Sequence, residues 1–187
     1  KALNCDEGLG HECNKCDSCE AILSGTHPDV YELDAASNSG VDNIRELIDQ
    51  VRYEPIMGRY KVYIIDEVHS MTSNAFNALL KTLEEPPAHV IFILATTEPQ
   101  KVLPTILSRV QRFDFSKISD EDLISKMEYV LKQENVNYEI GALRLIARLA
   151  DGGARDALSI LEQVVSYSND EVKVSDVETI FGLISVP

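Results

Sequence analysis

Val62-Tyr63-Ile64-Ile65-Asp66-Glu67-Val68-His69 decides how this chain is read. Four apolar, β-favouring residues run directly into two adjacent acids, the pattern of a buried parallel strand that carries carboxylates to the open end of a sheet. It is also a Walker B pattern, in which the Asp at the strand tip holds Mg²⁺ and the following Glu polarises the attacking water of a nucleoside triphosphatase. A carboxylate suits the first task because Mg²⁺ is a hard, oxygen-seeking cation. It suits the second because the water must lie within hydrogen-bond reach of a base. Taken alone, the stretch also fits an ordinary buried strand ending in a solvated acidic turn, so the flanking sequence has to separate the two.

Downstream, Ala75, Phe76, Leu79, Leu80 and Leu83 recur at helical spacing until Glu84-Glu85-Pro86-Pro87 stops the helix. Val90 to Ala95 is a second continuous apolar run, read as a strand buried on both faces, and it stops at Thr96 and Thr97. Polar residues at such a tip lie where open α/β sheets bind ligands; turn chemistry ahead of Pro99 is the alternative. Upstream, Asp29 to Asp34 alternates as a half-buried strand and Ala35 to Gly40 is a polar loop. Val41, Ile44, Leu47, Ile48 and Val51 then mark a helix ending near Tyr53. Leu103 to Arg109 reads as a short helix and Gln111 to Phe115 as a last short strand.

From Ser119 onward every periodicity is helical. Leu123, Ile124, Met127, Val130 and Leu131 follow a Ser119/Asp122 capping box, and Ile140, Leu143, Ala147 and Ala150 form a second stripe stopped by Gly152-Gly153. Ala154, Ala157, Leu158, Leu161 and Val165 make a third. Val177, Ile180, Phe181 and Ile184 make a fourth, capped by Ser175 with Glu178. The pattern predicts an α/β domain over residues 1–117 and a small helical domain over residues 118–187.

At 187 residues, 44% hydrophobic and 26% charged, the chain is long and apolar enough to bury a core. Without a membrane-length apolar run or a basic-then-apolar leader, it reads as soluble and cytoplasmic. A net charge of −14 argues against autonomous, nonspecific nucleic-acid binding, which depends on Lys and Arg neutralising phosphates. All 4 cysteines, Cys5, Cys13, Cys16 and Cys19, crowd into the first tenth of the chain, with two C-x2-C turns of the kind that present thiolates to one tetrahedral Zn²⁺. This predicts a closed, structural zinc module over residues 5–19. Disulfides are the alternative reading, and His11 is a further candidate ligand.

These pieces occur together in one family. Glu32-Leu33-Asp34-Ala35-Ala36-Ser37, Val51-Arg52-Tyr53, Asp66-Glu67-Val68-His69, Leu79 to Pro87, Ala95-Thr96-Thr97-Glu98-Pro99, Ile106-Leu107-Ser108-Arg109 and Arg155-Asp156-Ala157-Leu158 stand behind the cysteine cluster in order. The chain resembles the tau/gamma family of bacterial DNA polymerase III clamp-loader subunits, which are AAA+ ATPases. The resemblance implies an AAA+ P-loop type parallel sheet with an inserted zinc module and a helical lid. It implies Asp66 and Glu67 as Walker B acids, Thr97 as the γ-phosphate sensor and Arg155 as a second sensor from the lid. It implies Arg109 as an arginine finger reaching a neighbouring subunit, a role that suits a permanently charged, forked guanidinium. ATP, Mg²⁺ and structural Zn²⁺ are the implied cofactors. Other clamp-loader subunits in a hetero-oligomeric ring, the sliding clamp and primed DNA are the implied partners. The family's Ser-Arg-Cys reads here as Ser108-Arg109-Val110, and the first cysteine gap is one residue shorter than the family's.

No G-x-x-x-x-G-K-[ST] occurs. Since the chain opens on Lys1, in residues resembling the tail of a helix, the phosphate loop is expected upstream, in a strand bordering Val90 to Ala95. That leaves an apolar strand edge, and the chain alone is expected neither to bind ATP tightly nor to stay strictly monomeric. The alternatives are a non-catalytic delta-prime-like subunit, a DExH-box helicase fragment, or a zinc-dependent interaction module with a decayed ATPase domain.

Overall fold

The computed structural model describes residues 1–37, 41–168 and 170–183. It divides into two compact units, Lys1–Arg112 and Phe113–Pro187, each with its own core.

In the first unit the opening residues form turns rather than a helix tail: the Asn4 and Cys5 N–H groups both donate to the Lys1 carbonyl at 2.9 Å. A seven-residue helix follows, α1 (Asp17–Leu23). Three parallel strands, β1 (Val30–Asp34), β2 (Lys61–Asp66) and β3 (Val90–Leu94), then lie side by side in that order. Their register sets Asp34 opposite Asp66 and Ile65 opposite Leu94, so the three C-terminal ends emerge together. Tyr31, Tyr63 and Phe92 are aligned across the strands and stack with ring centroids 4.9 and 5.4 Å apart. Tyr63 and Ile65, on this same face, are fully buried with Ile44 of α2 (Val41–Val51) and Leu79 of α3 (Ser73–Glu84). Ile44, Ile65 and Leu79 each contribute about 1.5–3 kcal/mol of transfer free energy. Thr72 starts α3 by accepting the Ala75 N–H.

Three sequence expectations change here. β3 is not buried on both faces, since Ile93 is 45% exposed on the side away from α2 and α3. The helix expected over 103–109 is one turn, α4 (Pro104–Leu107), opening on a proline that lacks the N–H a first turn cannot use. Residues 111–115 form no strand: among the described residues no neighbouring strand pairs with them, and Phe113 and Phe115 are exposed.

The second unit packs α5 (Asp120–Gln133), α6 (Ile140–Ala150), α7 (Ala154–Tyr167) and α8 (Val174–Phe181) around Met127, Leu131, Leu143, Ile146, Leu161, Val164 and Val177. Ser119 caps α5 with half of the expected box: its oxygen accepts the Asp122 N–H at 3.1 Å, while the Asp122 carboxylate takes the Ser119 hydroxyl at 2.8 Å rather than the Ser119 backbone N–H. The cap expected at Ser175 with Glu178 is instead Lys173 with Asp176, whose Oδ2 takes the Lys173 N–H and the Ser168 hydroxyl. A two-residue parallel ladder, β4 (Asn137–Tyr138) with β5 (Glu171–Val172), fixes the chain just ahead of α8 and starts the helix earlier. Asn38 to Gly40 of the expected loop, the Val41 side chain and Ile184 of the expected fourth stripe lie outside the described residues.

Candidate functional site

The β2 tip turns abruptly. Glu67 adopts a left-handed backbone, φ 49° and ψ 41°, a conformation that costs an L-residue about 1–2 kcal/mol and is held only by its surroundings. Asp66 is exposed, and its Oδ1 accepts the Glu67 N–H at 2.9 Å. The Val68 N–H donates to the Ala95 carbonyl, so the two strand tips are tied just beyond β2 and β3. Thr97 Oγ1 donates to Glu67 Oε2 at 3.3 Å, bringing together two residues singled out in the sequence. His69 enters the same cluster. Its Nδ1 lies 2.8 Å from Thr96 Oγ1 and 3.3 Å from Glu67 Oε2, and its Nε2 lies 3.3 Å from Glu98 Oε2. Glu98 is held below the usual carboxylate range by its 2.7 Å bond from Lys101, against a smaller opposing effect of desolvation. Across the sheet, the Ser37 hydroxyl and then the Ala36 N–H lower the Asp34 carboxyl. The tips of β1 and β2 thus present two carboxylates, Asp34 and Asp66, with Glu67 and a hydroxyl alongside: oxygen donors of the kind Mg²⁺ accepts.

Arg109 follows α4 with its guanidinium spread over three acceptors: Glu84 Oε1 at 2.6 Å, the Thr105 carbonyl at 2.6 Å and Ser108 Oγ at 3.1 Å. Glu84 carries no signal of this pairing in the sequence, since 25 residues separate it from Arg109. Arg155 is exposed on the first turn of α7, in the second unit.

The four cysteine sulfurs all lie within 4.8 Å of one another. A tetrahedral ion with ~2.3 Å bonds to sulfur requires separations of ~3.8 Å, so a small contraction completes the shell. Backbone donors already address the sulfurs. The Cys16 N–H donates to Cys13 Sγ at 3.3 Å and the Cys19 N–H to Cys16 Sγ at 3.4 Å. Burial, reinforced by the thiols of Cys16, Cys5 and Cys13 against a bond from the Asn14 backbone, pushes the Cys19 thiol up to about 12. A cation bound among the four sulfurs would offset that cost for Cys19. No pair is disulfide-bonded, and His11 is exposed and outside the convergent set.

The cysteine module is fastened to the sheet by polar residues that carried no sequence signal. Asn4 accepts the Arg59 and Tyr60 N–H groups and donates to the Tyr60 carbonyl. The fully buried Asp29 carboxylate accepts the N–H groups of Ile56, Met57 and Gly58 at 2.7, 2.6 and 2.7 Å. The Asp29 N–H donates to His27 Nδ1, which leaves Nε2 to donate to Ser18 Oγ, beside Cys19.

The family profile described as "DNA polymerase III, delta subunit" matches residues 1–119, well over half of the chain. The chain belongs to the DNA polymerase III clamp-loader subunit family. A second profile of this clamp-loader family, "DNA polymerase III clamp loader subunit, ATPase lid domain", matches residues 122–170. DNA polymerase III subunit tau of Bacillus subtilis is 52% identical over 186 residues, 99% of this chain and 33% of the relative. The tau subunit of Escherichia coli is 45% identical over 183 residues, 97% of this chain and 28% of the relative. The chain therefore spans about a third of the length of these two relatives. The Thermotoga maritima RuvB Holliday junction branch migration motor superposes with a TM-score of 0.68 at 16% identity, over 89% of this chain and 56% of that one. That likeness is one of fold, the AAA+ type of α/β sheet with a helical lid.

Proposed function

We propose that this chain is part of an ATP-hydrolysing motor subunit of the replicative clamp loader. In this reading residues 1–117 contribute to the nucleotide-binding domain and residues 118–187 form its lid. Asp66 holds Mg²⁺, whose charge when bound offsets that of the phosphates. Glu67 orients the attacking water, Thr97 reads the γ-phosphate position, and Arg155 contacts nucleotide from the lid. Arg109, held ready by Glu84, serves a neighbouring subunit's site. The four cysteines hold a structural Zn²⁺. The assembled ring of clamp-loader subunits works in the cytoplasm, where it opens a sliding clamp and places it on primed DNA.

The observation that carries the reading is the contact between Glu67 and Thr97, which joins an acid able to activate water to a hydroxyl on the neighbouring strand tip. Membership of the clamp-loader family supports it, and tells against the helicase alternative. The test is ATP turnover by the full-length protein, assembled with its clamp-loader partners, clamp and primed DNA. Glu67→Gln is expected to keep ATP bound while turnover falls about 10²–10⁴-fold. Arg109→Ala is expected to lose about 10³-fold in the assembly and nothing in the isolated subunit. Equal losses in both settings would refute a role in trans. An inactive wild-type assembly would favour the non-catalytic, delta-prime-like alternative.

A further inference from the structure

We propose that His69 is a positioning residue that couples the Glu67 carboxylate to the loop Thr96-Thr97-Glu98. The proposal rests on the ATPase reading above and adds a residue to it. Glu67 sits in a left-handed conformation directly after β2, so its side-chain direction is not set by the strand and must be fixed by contacts. Among the described residues two reach it: Thr97 Oγ1 and His69 Nδ1, both 3.3 Å from the same oxygen, Oε2.

The two partners differ in kind. Thr97 is exposed, whereas the His69 side chain is only 13% exposed, with its ring braced between Thr96 Oγ1 and Glu98 Oε2. Thr96 Oγ1 in turn accepts the Glu98 N–H at 3.0 Å, which closes the loop on itself. The ring is therefore tied to the β3 tip, and the Glu67 side chain, 36% exposed, takes its direction from that ring and from Thr97. A shift of residues 96–98 moves the ring and with it the nitrogen that lies 3.3 Å from Glu67 Oε2. That nitrogen is Nδ1, hydrogen-bonded to Thr96 Oγ1, since Nε2 is turned to Glu98.

The test separates the two nitrogens. Asn at this position keeps an amide near Nδ1 but does not reach Glu98, and Gln places its amide near Nε2. In the full-length subunit, assembled with its clamp-loader partners, clamp and primed DNA, His69→Ala is expected to lower kcat about 10²-fold, the scale of a misplaced reacting group. KM, the affinity for a slowly hydrolysed ATP analogue and the melting temperature stay near the parent values. His69→Asn recovers most of kcat and His69→Gln does not.

Several results overturn the proposal. Unchanged kcat in His69→Ala does so, as does a fall in analogue affinity and melting temperature that matches the loss of kcat, which marks a merely structural residue. Equal rescue by Gln and Asn overturns the assignment to Nδ1. Glu67→Gln in the same assay keeps the readings apart. If it abolishes turnover while His69→Ala is silent, only the role of His69 fails; if the unmodified assembly does not turn over ATP, the ATPase reading itself fails.

Discussion

Asp29 shows how a single buried carboxylate can hold two parts of a chain together. Burial alone would raise its pKa, but the N–H groups of Gly58, Ile56 and Met57, with His27 nearby, outweigh burial and hold it below the usual carboxylate range. Folding therefore favours its ionised form. The stability it contributes is complete above the unfolded value of ~4 and is lost as pH falls through the lower folded value. His27 is lowered mainly by burial, with Asp29 opposing, so its neutral form is favoured. Its contribution is complete above ~6.5 and is lost as pH falls through its own folded value. Urea denaturation from neutral to acid pH is expected to show stability declining in two steps. Asp29→Asn should remove the lower step and cost about 2–4 kcal/mol at neutral pH, because three N–H groups lose an anionic acceptor. An unaltered acid limb in that variant would contradict the assignment. Asp66 and Glu67 were legible in the sequence because an apolar run points at them. Asp29 and Asn4 were not, since their partners lie 27 to 56 residues away and no periodicity encodes a side chain bonded to a distant loop.

Elements were legible where one face is apolar along its whole length. The helices of the second unit follow their stripes, and Ser119 caps α5 as its spacing predicts. Removing that cap in Ser119→Ala is expected to cost about 1 kcal/mol, read as a lower melting temperature of the helical unit. Elements fixed by partners rather than pattern were misread. Gln111 to Phe115 has strand composition, but a strand exists only where another chain segment takes its hydrogen bonds. α1 was missed because its seven residues are organised by the cysteines around it rather than by an apolar stripe. The loop ahead of β2 gives an element-level test. A Cβ on Gly58 would lie 2.6 Å from Asn4 Cγ, and the Asn4 side chain cannot retreat without giving up its bonds to Arg59 and Tyr60. Gly58→Ala is expected to cost about 1–3 kcal/mol. In combination with Asn4→Ala the two costs should fall short of their sum, because removing the Asn4 side chain removes the clash. Strict additivity in that double-mutant cycle would show that the two residues do not meet.

On the scale of the molecule, the contacts of the cysteine module predict what removing the proposed Zn²⁺ would do. Two routes lead from the four sulfurs to the sheet: Cys5 through its neighbour Asn4 to the backbone of Arg59 and Tyr60, and Cys19 through its neighbour Ser18 to His27, Asp29 and the backbone of residues 56–58. Both converge on the segment that enters β2, the strand ending in Asp66. Without a cation the four thiols are kept together by burial of Cys5 and Cys19 and by weak bonds to sulfur, and a small metal-bound fold owes much of its order to the ion. Chelation is therefore expected to loosen residues 1–29 and, with them, residues 56–60, while α5 to α8, which have their own core, keep theirs. Hydrogen exchange with and without chelator, alongside elemental analysis giving one zinc per chain, measures this directly. The amides of Ile56, Met57, Gly58, Arg59 and Tyr60 should lose protection together with the cysteine module, and regain it when Zn²⁺ is restored. Protection of those five amides that survives complete loss of metal would show that Asn4 and Asp29 hold the loop independently of the centre, and that the cysteine module is attached to the sheet without supporting it.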